Sequence, residues 1–342
     1  MRRLATAALA LAVALALGGA EALTGSAGVS GSAGWQRHQP GGLTKCARGG
    51  AFAFWTRVAD PKRVVVFFEG GGGCFDETTC AVGSQWFDDD VGADEDPTYA
   101  GGMLDLADSR NPFRDWSWVY IPSCAGDVHV GDKRVRYGRV TVEQRGWQNA
   151  RSALRWAFKR FDDVDSVFVT GCSAGSVGSA FHVPAVLDRW PKARVTQLGD
   201  SLAFEYHRPV SLVGWGAHAH FPSFFRIGNR RFTMVEYLTA LARHYPKRTF
   251  ARFNHAGDDV QEAFYGAVGG DPRKFESDLR AAEGRLKKLP NYRSYLACGD
   301  SHCILPTPGF YSTRVAGVSL RDWTARLASG RHVSCPTCRS GP

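Results

Sequence analysis

A chain of 342 residues, 44% hydrophobic and 22% charged, has enough apolar material for one large α/β domain, which excludes a disordered chain. The formal net charge of +9 favours anionic partners, but no basic run is interleaved with stacking aromatics, so no nucleic acid is expected as a partner. Only one apolar stretch is extended, and it is too short for a membrane span.

That stretch opens the chain. Arg2 and Arg3 precede an apolar run from Leu4 to Leu17, and Ala20-Glu21-Ala22 supplies a small-x-small cleavage pattern, so residues 1–22 read as a secretory signal peptide. Residues 23–36, rich in Gly, Ser and Ala, read as a flexible leader, and residues 37–342 as a single domain. The expected address is therefore secreted and extracellular, where cysteines form disulfides. Nine are present: Cys46, Cys74, Cys80, Cys124, Cys172, Cys298, Cys303, Cys335 and Cys338. An odd count leaves one thiol, for which Cys172 is the natural candidate because it should face the core. Cys74 with Cys80 would close a short loop; the remaining pairing is not readable from sequence. Cys335-Pro-Thr-Cys338 as a redox pair, and Cys298, Cys303, Cys335 and Cys338 as a zinc site, are the competing readings of the C-terminal cysteines.

Gly50 to Val58 alternates like an early edge strand, and Arg63 to Phe68 is a continuous β-branched and aromatic run, as expected of a central strand buried on both faces. It ends in Glu69-Gly70-Gly71-Gly72-Gly73-Cys74. A phosphate loop would need a helix-opening Lys-Ser/Thr, which is missing; a glycine loop after an early strand instead supplies an oxyanion amide in lipases and esterases. Residues 76–112 form an acidic insertion containing Asp88, Asp89, Asp90, Asp94, Glu95 and Asp96; a calcium loop is the alternative to a solvated one, but the EF-hand pattern fails at Gly92. Trp118 to Pro122 reads as a strand, Cys124 to Asp132 as a loop and Trp147 to Phe161 as a helix.

Ser166 to Val169 then drives into Gly171-Cys172-Ser173-Ala174-Gly175, followed by the small-residue segment Ser176 to Ala180. Strand, sharp turn and helix around G-x-S-x-G make a nucleophile elbow, with Ser173 lifted out of the sheet and the Ala174 amide at a helix N-terminus, ready to donate to an oxyanion. The next strand, Arg194 to Leu198, runs into Gly199-Asp200-Ser201-Leu202, a literal GDSL with a competing serine. In hydrolases named for that motif the serine lies near the start of the domain and a D-x-x-H near its end; here the motif is mid-chain, and Asp300-Ser301-His302 is one residue short.

Residues 203–232, rich in aromatics and histidine, read as a cap or cleft wall; His218-x-His220 alone does not complete a metal site. Met234 to His244 is helical, Arg248 to Asn254 a strand, Lys274 to Leu289 an amphipathic helix and Tyr292 to Ala297 a late strand. The alternation of strands and helices implies an α/β hydrolase fold, a mostly parallel central sheet flanked by helices. That fold carries its triad in the order Ser, acid, His, on loops after successive strands. Of ten histidines only His302 directly follows a late strand and the acid candidates, Asp258 first and Asp259 second.

Together these pieces resemble the pectin acetylesterase family, the Notum-like secreted serine carboxylesterases. The likeness is carried by Phe68-Glu69-Gly70-Gly71-Gly72 before Cys74, Asn111-Pro112 with Trp116, and Arg145-Gly146. It continues through Gly171-Cys172-Ser173-Ala174-Gly175, Asp258 with Gln261, and Cys298 with His302-Cys303. The resemblance implies Ser173, Asp258 and His302 as catalytic residues, an oxyanion hole from the Gly71, Gly72 and Ala174 amides, and neither a metal nor an organic cofactor. It implies hydrolysis of acyl esters, acetyl foremost, on a polysaccharide such as pectin. Two positions depart from the family: Gly73 stands where an aromatic is usual, implying a more open pocket wall, and Gly257-Asp258-Asp259-Val260-Gln261 replaces the usual plant reading at the acid. Esterase or depolymerase action on longer acyl, lipid or polyester substrates is the alternative reading, and a non-catalytic secreted glycan-binding protein is the alternative of another class.

Overall fold

The computed structural model describes residues 34–92, 95–201, 210–225 and 232–339. The signal segment, the leader up to residue 33, residues 203–209 and 226–231 of the 203–232 stretch, and Asp94 of the acidic insertion lie outside the described residues; the end of the expected leader is ordered instead, with Trp35 buried and Gln36 opening the first strand.

In chain order the strands are β1 (Gln36–His38), β2 (Phe54–Arg57), β3 (Asp60–Phe68), β4 (Trp116–Ile121), β5 (Lys133–Tyr137) and β6 (Val140–Gln144). They continue with β7 (Ser166–Cys172), β8 (Arg194–Asp200), β9 (Thr249–His255), β10 (Tyr292–Ala297), β11 (Arg314–Val315) and β12 (Val318–Ser319). The helices are α1 (Gly146–Arg160), α2 (Ala174–Arg189), α3 (Val210–Gly214), α4 (Met234–His244), α5 (Asp259–Ala267), α6 (Phe275–Leu286), α7 (Gly309–Ser312) and α8 (Leu320–Ala328).

Eight strands form the main sheet in the order β1-β2-β4-β3-β7-β8-β9-β10. The strands from β4 to β10 in that order pair in parallel, and β1 and β2 close one side antiparallel. Alternation along β3 explains why it is central: Val64, Val66 and Phe68 pack on one face with α1 and α2 residues such as Ala153, Leu154 and Val177. Val65 and Phe67 pack on the other with Phe113, Trp118 and, from α8, Trp323. Both faces are covered, so the strand reads as one apolar run.

Chain order reverses at β3: the chain steps outward to β4, then returns across β3 to β7 and onward. The crevice beyond the carboxyl ends of β3 and β7 is thus the topological switch point, where open α/β sheets place their sites. Phe68 at the end of β3 is in register with Gly171 of β7, so the glycine loop and the elbow leave the sheet side by side.

The hairpin β5–β6 and the C-terminal elements β11, β12 and α8 were not expected from sequence. Charged residues fill β5, Lys133-Arg134-Val135-Arg136-Tyr137, and obscure its alternation, because the two-stranded sheet with β6 is largely exposed. Among the described residues no helix is long and apolar enough to cross a membrane.

Candidate active site

Ser173 sits at φ 53°, ψ −121°, a strained backbone for a residue with a side chain, between the end of β7 and the first turn of α2. The flanking glycines are required by close approach: a Cβ on Gly175 would collide with the Phe68 carbonyl and one on Gly171 with the Gly175 carbonyl. Ser173 is therefore presented where the two loops meet, with the Ala174 amide at the helix start.

Opposite stands His302. Its Nδ1–H donates to Asp258, 2.9 Å from Oδ1 and 2.8 Å from Oδ2. Asp258 has a wholly buried side chain and caps α5, accepting from the Gln261 amide at 2.9 Å and from Gln261 Nε2 at 2.8 Å. Four donor contacts from fixed groups leave the carboxylate one orientation. Asp259, by contrast, begins α5 with an exposed side chain, so of the two acid candidates the structure brings Asp258 to the histidine.

Ser173, Ala174, Gly72, Gly73, Gln261 and His302 border one cavity, whose remaining walls among the described residues are Phe75, Val128, Val177, Ser201, Trp215, Phe264 and Val268. Of the three oxyanion candidates, Gly72 and Ala174 reach this wall. Gly71 is not among the lining residues; it lies against Ser123 and Asp88, where a Cβ would clash. Gly72 has φ +62° and a Cβ there would strike the Trp86 carbonyl, which is why the loop is glycine at that point. Gly73, the departure in the loop, borders the cavity as well, with only ordinary contacts around the place of a Cβ.

Behind the glycine loop lies a buried layer that sequence reading missed. His129 Nε2–H donates to the Glu69 carbonyl at 2.8 Å, and His182 Nε2–H donates to the His129 carbonyl at 2.8 Å. Burial pushes His129 down to about 4 and His182 down to about 3, so both are neutral imidazoles at ordinary pH. Asp127, pushed up to about 7 by burial, accepts from the Gly146 amide at 2.7 Å and the His129 amide at 3.2 Å. These groups hold the strand-end carbonyl from which Gly70–Gly72 depart. Glu69 itself is raised well above the usual carboxylate range by burial and accepts from the Tyr120 hydroxyl.

The cysteines require a correction. Cys172, expected as the free thiol, is bonded to Cys303, and the cysteine left without a disulfide is Cys335. Cys172 directly precedes Ser173 and Cys303 directly follows His302, so bringing serine and histidine to one cavity brings the two cysteines to a Cα separation of 5.3 Å. The pair becomes readable from sequence once the serine and histidine are matched. Cys74 pairs with Cys80 as expected, Cys46 with Cys124 and Cys298 with Cys338. That pairing removes the C-x-x-C and zinc readings, since Cys298, Cys303 and Cys338 are already bonded. Among the described residues no cluster of three or more His, Cys, Asp or Glu is arranged to hold a metal, the acidic insertion and His218–His220 included; His220 instead pairs with Asp132 at 3.0 Å. Four disulfides are the chemistry of an oxidising compartment.

A mostly parallel sheet, a strained serine elbow at its switch point and a histidine on a late loop define an α/β hydrolase. The solved structures agree on the fold. The Wnt deacylase Notum from Drosophila superposes with a TM-score of 0.62 over 89% of this chain and 97% of that one, at 17% identity. A second crystal form of it gives 0.58 over the same shares. A palmitoleoyl-protein carboxylesterase Notum of Schmidtea mediterranea is 26% identical over 163 residues, 43% of this chain, and the match spans only 29% of that relative's length. The pectinacetylesterase family profile matches residues 44–220, just over half of the sequence. The chain belongs to the pectinacetylesterase family.

Proposed function

We propose that the protein is a secreted serine esterase that removes short acyl groups, acetyl foremost, from an acetylated polysaccharide. In this reading Ser173 is the nucleophile, His302 the general base and Asp258 the carboxylate that orients it. The observation that carries it is the Asp258–His302 hydrogen bond of 2.8 Å on the wall of a cavity that Ser173 also borders.

With Nδ1 donating to Asp258, the Nε2 of His302 is the basic nitrogen. It takes the Ser173 proton as Oγ attacks the ester carbonyl, and the carbonyl π electrons move to oxygen. The Ala174 and Gly72 amides receive that oxyanion, each such donor supplying roughly 2.7–4 kcal/mol. Collapse breaks the ester C–O bond, His302 gives its proton to the leaving alkoxide, and an acyl-Ser173 remains. Water, deprotonated by the same imidazole, attacks the acyl carbon and regenerates the serine. Asp258 stays ionised throughout and fixes the tautomer.

The acyl preference follows from the space. The cavity is about 40 Å³, where one water needs roughly 10–15 Å³, so it has room for a group of a few heavy atoms. Its walls, Phe75, Val128, Val177, Trp215, Phe264 and Val268, are apolar and suit a methyl rather than a polar substituent. The polysaccharide rests on the family description and on the +9 charge, which favours an acidic glycan. Secretion rests on the four disulfides and the N-terminal signal pattern. A second reading, a longer acyl chain, is favoured by the aromatic rings of Phe75, Trp215 and Phe264, which give the cavity an apolar wall that a hydrocarbon chain would suit. Initial rates on aryl esters from acetyl upward, beside Ser173→Ala, separate them. Steep loss of rate beyond the shortest acyl groups supports the first reading, rising rate supports the second, and activity unchanged in Ser173→Ala overturns both.

A further inference from the structure

We propose that Asp200 and Ser201, the acidic and hydroxyl residues of the GDSL stretch, are positioning residues that lock the His302 loop to the nucleophile strand. The inference rests on the Ser173–His302–Asp258 reading above.

Asp200 ends β8 in register with Cys172 of β7. Its carbonyl accepts from the Ser173 amide at 2.8 Å and from the Ser176 hydroxyl, so its backbone is bonded to the elbow itself. Its side chain faces the other way. The wholly buried carboxylate accepts the Leu305 amide at 2.8 Å through Oδ2 and the Ser201 hydroxyl at 3.0 Å through Oδ1. The Ser201 oxygen in turn accepts the Cys303 amide at 2.9 Å, while the Ser201 amide is tied to the Phe253 carbonyl of β9 at 2.9 Å.

Two consecutive residues therefore hold the Ser173 amide on one side and the amides of residues 303 and 305 on the other. The histidine loop has no regular hydrogen-bond ladder of its own around residues 299–303, so its amides need such acceptors. Ser201 adopts φ +56°, a backbone that turns its hydroxyl toward Asp200 and Cys303. That hydroxyl donates once and accepts once, and its proton is committed to a carboxylate rather than to an imidazole, which removes it as the nucleophile. Burial pushes the Asp200 carboxyl up to about 6; the Leu305 amide, the positive field of His302 and the Ser201 hydroxyl act to lower it, and the charge of Asp258 adds to the rise. The charge of Asp200 is thus coupled to His302 through space, beside the direct contact of Asp258.

The test measures kcat, KM, the pH profile of kcat/KM and thermal midpoint with an aryl acetate on the full chain, for Asp200→Asn, Ser201→Gly and Ser173→Ala. Asn keeps one acceptor oxygen and so cannot accept from both the Leu305 amide and the Ser201 hydroxyl; misplacement of a catalytic group on the order of 1 Å costs roughly 100-fold, so kcat should fall about 10- to 100-fold with KM within about twofold. The acid limb of kcat/KM should lose its component near pH 6 in Asp200→Asn, because the carboxyl that takes up a proton there is gone; a packing defect alone would leave that limb in place. Should Asp200→Asn not fold, Ser201→Gly keeps the test open, since glycine suits φ +56° and removes only the hydroxyl. It should lower kcat by roughly 3- to 10-fold, since the Cys303 amide loses its acceptor and the Asp200 carboxylate one of its donors. Its serine should still be labelled at Ser173 by an aryl phosphonate. Folded variants with kcat within twofold of the parent and an unchanged limb overturn the proposal while leaving the nucleophile reading intact. Unchanged activity in Ser173→Ala overturns the reading on which it rests, and loss of phosphonate labelling in Ser201→Gly makes Ser201 the nucleophile and overturns both.

Discussion

The two sides of the site are built by different means. The serine side is local: β7, the turn and α2 lie within one continuous stretch from Ser166 to Arg189, and its geometry follows from glycines placed where carbonyls approach. On the histidine side, Gly299 to Cys303 has no regular secondary structure and is held by groups distant in sequence. Asp258 grips the ring, Ser201 and Asp200 hold the amides that follow, and Cys172 bonds to Cys303. A nucleophile needs one strained turn, which a short segment can encode. A base must be aimed at that nucleophile from another part of the chain, so its aim has to come from long-range tethers.

The largest effect that would break this comparison is at the acid. Asp258→Asn should lower kcat by about 10⁴-fold, as loss of the tautomer-fixing carboxylate does in triad enzymes, whereas Asp259→Asn should change it by no more than about threefold. Steady-state rates on an aryl acetate check both, and a large loss in Asp259→Asn would show that the wrong carboxylate has been matched to His302.

A smaller effect tests the covalent tether. Replacing both Cys172 and Cys303 by Ala removes a bridge between residues 131 apart in sequence, which should cost about 2–4 kcal/mol of stability. The lost rate should appear in kcat rather than KM, and labelling of Ser173 by a phosphonate should slow without changing its one-to-one stoichiometry. Unchanged stability and kcat would mean that the hydrogen bonds alone aim the loop.

The smallest effect concerns the layer behind the glycine loop. His129 and His182 titrate in the folded chain at about 4 and about 3, below the ordinary 6.5, so unfolding takes up protons between those values. Their contribution to stability is complete above pH 6.5 and is lost as pH falls toward 4. Asp127, raised to about 7, and Asp200, raised to about 6, act in the opposite sense, favouring the folded state as they gain protons. A His182→Gln chain should be less stable at pH 7 and show a flatter decline of thermal midpoint between pH 6.5 and 4.5. An equally steep decline would place the acid sensitivity elsewhere.

Much of this was legible in the sequence. A run such as Val64–Phe68 announces a buried parallel strand because it is apolar without alternation, and the elbow announces itself because only glycine tolerates its contacts. Order along the chain then selected His302 and a pair of acids. The hairpin β5–β6 escaped because its lysine and arginines face solvent, and α8 because its apolar positions only make sense against the far side of the sheet.

What the sequence determined by itself is the fold class, the serine turn and the candidate partners, since these depend on periodicity, glycine placement and the order of elements. What tertiary structure alone decided is which aspartate meets the histidine, which cysteine pairs with Cys172, and which groups the GDSL stretch hydrogen-bonds. Each of those is a matter of where distant residues converge. Adjacent Asp258 and Asp259 are chemically alike and differ only in which of them the start of α5 turns inward, and a helix start takes its direction from the sheet it packs against.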